Sequence, residues 1–320
     1  MPKAFLIRLA CACTLAASAQ AQLRVSAAPS RSRTSLADDA PIRPPALGHY
    51  LSEGRLRLIA GLPGAAVSLP SPLPFGFAAA AEPPSRAYLL GIDAGSRTAL
   101  LLYETPDGVA VTRSLETAAP PERLLLSPSG SAAAIRTTDA GELRTRLPAA
   151  PERTVTLEAH DAPAAVSDAG EFLLAGHSPS LAALDEIAAL AFRRGSTDAL
   201  AATPRAVFLL REGALEPLAL ELPQEARIAA VAFDREGGAA FAAIDNPGSV
   251  AEIDLLTRES RSTPCGCSPA TLTPIDGTRL FRITDPTPEN PGVLLYDGAA
   301  SEPRVLFVAA PAADPNGGIE

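Results

Sequence analysis

The sequence predicts an all-β protein, a β-propeller with seven blades favoured and six as the alternative. Between Pro83 and Pro311, apolar runs of four to seven residues alternate with clusters of Gly, Pro, Asp and Ser, a pattern typical of short strands and tight turns. No sustained alternation of strand and helix patterns is present, which argues against a parallel doubly wound sheet. A strand, turn, glycine and second strand also recur at intervals of about 40 residues, the length of one propeller blade.

The first 21 residues predict a cleavable export signal, and therefore a periplasmic or extracellular protein. They have a short basic start, an apolar stretch over Leu9–Ala17, and small residues at Ala19 and Ala21. This apolar stretch is too short to span a membrane. A lipoprotein signal acylated at Cys11 or Cys13 is the alternative, although neither cysteine has the usual leucine three residues upstream.

Composition then predicts the remaining boundaries. Residues 22–46 are rich in Arg, Ser and Pro and predict a flexible leader. We expect a single propeller domain over residues 47–311 and a disordered tail over residues 312–320, which are polar and rich in Gly and Pro. No later segment approaches 18 uninterrupted apolar residues, so no membrane span is expected.

The charge balance argues against two classes of partner. The chain carries 27 basic and 36 acidic residues, a net charge of −9, and without residues 1–21 the balance is 25 to 36, or −11. This excess of acid disfavours nucleic acid and anionic lipid. We expect a monomer whose partner is an unidentified protein or small-molecule ligand.

Five glycines mark the recurring turn between two apolar strands. They are Gly130, Gly170, Gly195, Gly237 and Gly277, at spacings of 40, 25, 42 and 40 residues. In such a turn, Asp or Ser bonds the local backbone and Gly accepts a positive φ without steric cost. The four-stranded sheets that follow bury their faces by packing against each other in a ring.

The 25-residue spacing indicates a shortened blade or an insertion. Strands are favoured between Gly170 and Gly195, because the strand, glycine and strand pattern continues there. The alternative is a short helix near residues 179–193, with Ser178 as its cap and Pro179 at its first position. From Gly48 to Pro311 there is room for six to seven blades, and the favoured seven would close with N-terminal strands completing the last sheet.

The turn sequences resemble the SPDG signature of bacterial YVTN and TolB-like propeller repeats, a WD40-like class. The closest matches are Ser127-Pro128-Ser129-Gly130 and Pro274-Ile275-Asp276-Gly277. The stretches RLIAGLPGAAV, CGCSPATLT and RVLFVAAP also look like a family of uncharacterised secreted bacterial propeller proteins. The resemblance implies a fold and export, and it brings no catalytic residues.

The sequence contains no recognisable set of catalytic residues, and we expect no cofactor or metal ion. The three histidines, His49, His160 and His177, lie next to no nucleophile motif, and no phosphate, zinc or nicotinamide motif is present. Six acids in turn-like positions could converge in a channel and hold calcium, as in lactonase-like propellers: Asp93, Asp168, Asp234, Asp245, Asp276 and Asp285. At such positions, acids more often bond the local backbone.

Cys265 and Cys267 are the two cysteines left after removal of the signal. A strained local disulfide is feasible, because residues two apart can bring their Cα atoms within bonding range and Gly266 adds freedom. A reduced pair and a redox or metal centre are the alternatives. The pair precedes SPATLTPIDG, so we expect it at a crossing between two blades.

These observations favour a non-enzymatic binding or interaction module, with its ligand at the loop face or the channel mouth. The alternative is a channel-bound, metal-dependent hydrolase of the lactonase-like kind. A thiol-dependent oxidoreductase using the two cysteines is the third hypothesis.

Overall fold

The computed structural model consists almost entirely of short antiparallel strands. It describes residues 45–71, 73, 75–104, 110–138, 140–147, 149–156, 162–275, 279–285 and 291–310. The predicted signal (residues 1–21), all but the last two residues of the predicted leader (22–46) and the predicted tail (312–320) lie outside these residues. Within the described part of the chain, no helix is long and apolar enough to cross a bilayer.

Among the described residues, the strands fall into seven antiparallel sheets. The first three sheets contain β1 (Ala46–Ser52), β2 (Arg55–Ala60) and β3 (Val67–Pro70); β4 (Phe77–Ala81), β5 (Leu89–Asp93), β6 (Ala99–Glu104) and β7 (Ala110–Leu115); and β8 (Pro121–Leu126), β9 (Ala132–Thr137), β10 (Ala140–Thr145) and β11 (Arg153–Thr156). The fourth sheet is a hairpin of β12 (Ala164–Val166) and β13 (Phe172–Leu174). The last three contain β14 (Ala189–Phe192), β15 (Ala199–Ala202), β16 (Val207–Arg211) and β17 (Ala214–Leu218); β18 (Arg227–Phe233), β19 (Ala239–Asp245), β20 (Ser249–Asp254) and β21 (Ser260–Pro264); and β22 (Thr273–Pro274), β23 (Leu280–Arg282), β24 (Val293–Asp297) and β25 (Arg304–Val308).

The sheets form a β-propeller with six blades of three or four strands. Strands β1, β4, β8, β14, β18 and β22 are the innermost strands of these blades, and residues on or next to all of them line one central cavity, together with Ala164–Val166 of the hairpin strand β12. The six sheets of three or four strands match the six-blade alternative, and the favoured seven blades are not confirmed. The hairpin β12–β13 lies between β8 and β14 and has no third or fourth strand among the described residues.

The short spacing between Gly170 and Gly195 explains the missing strands. After β13 the chain forms a single 3₁₀ turn at Pro179–Leu181 and reaches β14 at Ala189. The possible helix near residues 179–193 is reduced to this turn. The Ser178 hydroxyl caps no helix and instead accepts a hydrogen bond from the Leu174 amide at 3.1 Å.

The ring closes differently from the prediction. The N-terminal strands form their own three-stranded sheet, and the final sheet is built from β22 to β25 alone. A sheet of four antiparallel strands ends on the face of the ring where its first strand began, whereas a sheet of three ends on the opposite face. Because the first sheet has three strands, β1 and β4 run in opposite directions. The Phe77 amide at the start of β4 accordingly donates to the Gly54 carbonyl, in the turn that follows β1, at 2.7 Å.

Hydrophobic clusters between neighbouring sheets form the core. The middle strand β9 is buried along its whole length and β19 along nearly all of it, because each is covered on both faces. Their alanines allow close approach of the sheets, while large rings fill the wider gaps. Phe241 packs against Phe281 and Tyr296 with ring centroids 4.9 and 5.9 Å away, which joins the last two blades.

Candidate functional site

One face of the ring carries the turns that join each innermost strand to its neighbour. We call this the turn face; it contains residues 127–131, 167–171, 193–198 and 234–238. The first residue of three of these turns bonds an amide on the far side of its own turn. The side-chain oxygens of Ser127, Ser167 and Asp234 accept these hydrogen bonds at 3.0, 2.9 and 2.8 Å.

The predicted glycines lie in these turns, with one shift in position. Gly130, Gly170 and Gly237 have φ values of +78°, +83° and +70°, and each amide donates to the carbonyl three residues earlier. Gly195, with φ +65°, stands one position earlier in its turn, where Ser196 makes the corresponding bond. Gly277 lies outside the described residues.

Asp168 connects three successive turns on this face. Its Oδ1 accepts from the amide and the hydroxyl of Ser129 at 2.8 and 2.6 Å, and its Oδ2 accepts from the Gly195 amide at 2.8 Å. Burial alone would raise the pKa of the Asp168 carboxyl, but these hydrogen bonds favour the charged form and the net pKa is lowered. The carboxylate therefore stabilises the hairpin turn against both neighbouring blades.

The centre of the ring holds a cavity of about 500 Å³. Most of its lining residues are apolar and come from the innermost strands and from β12, with Leu124–Leu126, Ala164–Val166, Leu190–Phe192 and Val231–Phe233 as the main contributors. This volume and lining are in the range of small-molecule sites.

Four arginines also line the cavity: Arg123, Arg194, Arg235 and Arg282. Arg194 and Arg235 belong to the turn face, and both side chains are exposed to the solvent of the cavity mouth. The Nε of Arg282 lies 3.1 Å from the exposed Asp285 carboxylate, although the geometry does not satisfy a hydrogen bond. Within the described part of the chain, no ion pair holds Arg123, Arg194 or Arg235.

The two acids at the cavity wall, by contrast, are occupied. Glu82 accepts from the His49 amide at 2.7 Å and lies 2.9 Å from His49 Nδ1, and both side chains are largely buried. Asp234 bonds its own turn and also accepts from Arg279 at 3.3 Å. The cavity therefore has guanidinium groups available and carboxylates already engaged.

The predicted calcium acids do not converge. Of those that the structure describes, Asp234 lines the cavity and Asp168 lies in the hairpin turn. Asp93 and Asp245 are the last residues of β5 and β19, and Asp285 follows β23. Asp93 bonds the Ser96 amide in its own turn, which lowers the pKa of its carboxyl. No group of three His, Cys, Asp or Glu that could hold a metal ion occurs among the described residues, and Asp276 lies outside them.

The cysteines lie between β21 and β22, at the expected crossing between two blades. Their sulfur atoms are 2.07 Å apart and their Cα atoms 5.1 Å apart, which is disulfide distance. The nearest cation in sequence, Arg261, is engaged by Glu252 at 2.6 Å. The Cys265 amide donates to the Gly248 carbonyl at 3.0 Å, so the loop packs against the turn between β19 and β20.

Comparison with known proteins supports the fold and goes no further. No family model matches the chain, and no curated protein matches it, so the resemblance to YVTN and TolB-like repeats is not confirmed. Among solved structures, the chain is similar to "a functionally unknown protein from Desulfotomaculum acetoxidans DSM 771". The TM-score is 0.53 at 9% identity, over 82% of this chain and 99% of that one, which shows a shared fold alone.

Sequence reasoning missed the cavity arginines and the bridging role of Asp168. Arg194 and Arg235 each stand two residues after the end of an innermost strand, in "AFRRG" and "AFDREG". Alignment of the repeats on the strand ends would have revealed this pair, whereas alignment on the glycines separates them by one position.

Proposed function

We propose that this chain is an exported, non-enzymatic β-propeller that binds a small-molecule ligand in its central cavity. The observation that carries the proposal is the cavity itself, about 500 Å³, in which apolar lining residues are the majority and four arginines and two acids are among the polar ones. Ligand sites in proteins have this volume and this composition, because apolar walls supply affinity and the polar groups orient the ligand.

The state of the polar wall groups supports binding without catalysis. General acid or base catalysis needs a group that is within reach of the substrate and able to exchange a proton. Glu82 is held by His49, Asp234 is held by its turn and Arg279, and the Ser127 hydroxyl bonds its own turn. Each of these groups serves the scaffold.

Several finer features belong to the same proposal. The hairpin β12–β13 acts as a reduced seventh blade, which is supported by its place between β8 and β14 and by the turn bond of Ser167. The repeats are degenerate relatives of the YVTN and TolB-like class, supported by the Ser127-Pro128-Ser129-Gly130 turn. Residues 1–21 direct export and are then removed. Residues 22–46 form a flexible leader, and residues 312–320 form a disordered tail. The propeller domain is a monomer, and Cys265 and Cys267 form a disulfide.

A blocked cavity tests the proposal. Ala164 is half-buried at the cavity wall, so Ala164→Phe places a ring in the space that a ligand would occupy. The probe is the neutral dye phenylnaphthylamine, whose fluorescence rises in an apolar site. We expect the dye to bind the wild-type protein and Ala164→Phe to weaken its binding by at least about tenfold, about 1.4 kcal/mol.

The matched control is Ala214→Phe, which adds the same ring to an exposed position on β17, away from the cavity. This variant should bind the dye as the wild type does. Equal binding by the blocked variant and the control, or no binding by the wild type, would contradict the cavity as the binding site.

A further inference from the structure

The cavity has a local charge opposite to that of the whole protein. The chain carries a net charge of −9, yet four arginines and two acids line the cavity. Glu82 and Asp234 already have cationic or amide partners, and Arg282 lies beside Asp285, which leaves Arg123, Arg194 and Arg235 without an ion pair among the described residues. A cavity with low-dielectric walls and one sign of charge concentrates ligands of the opposite sign.

Two of the arginines occupy equivalent places on neighbouring turns. Innermost strand β14 ends at Phe192 and β18 at Phe233, and Arg194 and Arg235 each follow two residues later. Since β14 and β18 pack side by side, the two turns are adjacent on the turn face. Contact between the turns is direct, because the Gly237 backbone lies against the Arg193 side chain.

The other two arginines lie further from the turn face than Arg194 and Arg235. Arg123 is three residues before the end of β8, and Arg282 pairs across the sheet with Thr273, one residue before the end of β22. The innermost strands next to the turn face contribute apolar lining, such as Leu125, Val166 and Ala191. A ligand that enters at the turn face therefore meets guanidinium groups first and apolar surface beyond them.

We propose that the cavity binds a small amphipathic ligand with an oxyanion group, a carboxylate or a phosphate. The oxyanion is bound by Arg194 and Arg235 at the turn face, and the apolar part of the ligand lies against the channel wall. Guanidinium groups suit this role because their planar donors match the oxygens of such groups. This inference rests on the proposed function and adds the chemical class of the ligand.

The test uses two dyes that share one ring system. Phenylnaphthylamine is neutral, and anilinonaphthalene sulfonate is its close analogue with an anionic group. The double variant Arg194→Gln and Arg235→Gln should weaken binding of the sulfonate by at least about tenfold, and binding of the neutral dye by less than about twofold. In the wild-type protein, added salt should weaken binding of the sulfonate and leave binding of the neutral dye unchanged.

The matched control replaces two arginines away from the cavity, Arg55→Gln and Arg113→Gln, on the exposed surfaces of β2 and β7. It changes the net charge of the protein equally and should leave both dissociation constants within about twofold of the wild type. An equal loss of sulfonate binding in the control would mean that overall charge, and not the cavity pair, attracts the anion, which overturns the inference.

The outcomes separate this inference from the proposed function. If the neutral dye binds and Ala164→Phe blocks it, but the arginine variant binds the sulfonate as tightly as the wild type, the oxyanion inference fails alone. If the wild type binds neither dye, both proposals fail. A competition experiment distinguishes a carboxylate ligand from a phosphate. Decanoate, decyl phosphate and the uncharged reference decanol are each used to displace the neutral dye. Decanol as the strongest competitor would overturn the inference.

Discussion

The Asp168 carboxylate gives the sharpest stability prediction, because one side chain joins its own turn to the turns on either side. In the variant Asp168→Asn, the remaining oxygen can still accept from Ser129. The amide nitrogen that replaces Oδ2 faces the Gly195 amide, so a hydrogen bond of 2.8 Å becomes a contact between two donors. The two bonds to Ser129 also lose their charge-assisted character.

These losses set the expected magnitude. A hydrogen bond to a charged group contributes about 1.5 to 3 kcal/mol, and solvent competes for the partly exposed Asp168. We therefore expect Asp168→Asn to lower the free energy of unfolding by about 2 kcal/mol at neutral pH, as measured by urea denaturation. The control Asp185→Asn replaces an exposed carboxylate and should change the free energy by less than about 0.5 kcal/mol.

The pH dependence provides a second readout with a definite sign. Because the pKa of Asp168 is lowered in the folded protein, its stabilisation is fully present above the unfolded pKa of about 3.9. It is lost as the pH falls through the lower folded pKa. The difference between wild type and variant should thus be constant from neutral pH to about pH 5 and narrow below about pH 4. A difference that matches the control, or one that grows in acid, would refute the bridging role.

Two further predictions concern the core and the exported form. Phe241→Ala removes a ring that is 0% exposed and should lower the free energy of unfolding, measured in urea, by about 3 to 5 kcal/mol. The control Phe307→Ala removes a ring that is 59% exposed and should lower it by less than about 1 kcal/mol. Equal losses would mean that the interface between the last two blades is not part of the core. The protein recovered from an exporting cell should have the intact mass of a chain beginning at Gln22 and, when unfolded without reductant, no titratable thiol at Cys265 or Cys267. Two free thiols would rule out the disulfide, and retention of residues 1–21 would rule out cleavage.

The sequence patterns that predicted the fold are local ones. The alternation of apolar runs and turn residues depends on residues a few positions apart. The strands could therefore be predicted from this local pattern alone. The short interval between Gly170 and Gly195 likewise indicated the irregular position that proves to be the hairpin β12–β13. The cysteine crossing between blades followed from the same reasoning, since it lies between two recognisable strand patterns.

The features that were missed depend on the assembled ring. The N-terminal strands could complete the last sheet or form a sheet of their own. β-propensity does not distinguish these two arrangements, because it does not show which strands pair with each other. The cavity arginines are separated by about 40 residues in the chain, and only the packing of β14 beside β18 makes Arg194 and Arg235 neighbours. Asp168 could be predicted as a turn residue, but its partners in two other turns could not.

The junction between the first and last sheets is the one place where neighbouring parts of the ring are not also consecutive in the chain. Leu47 and Tyr50 pack there against Ile275 and Leu295, and no backbone hydrogen bond joins the two sheets in the described residues. The two ends of the propeller are therefore held together by side-chain packing, and thermal fluctuation would separate them at this seam first. His49 and Ile275 on its two sides also line the cavity, so a bound ligand would span the seam and add its own binding energy to the cohesion of the ring.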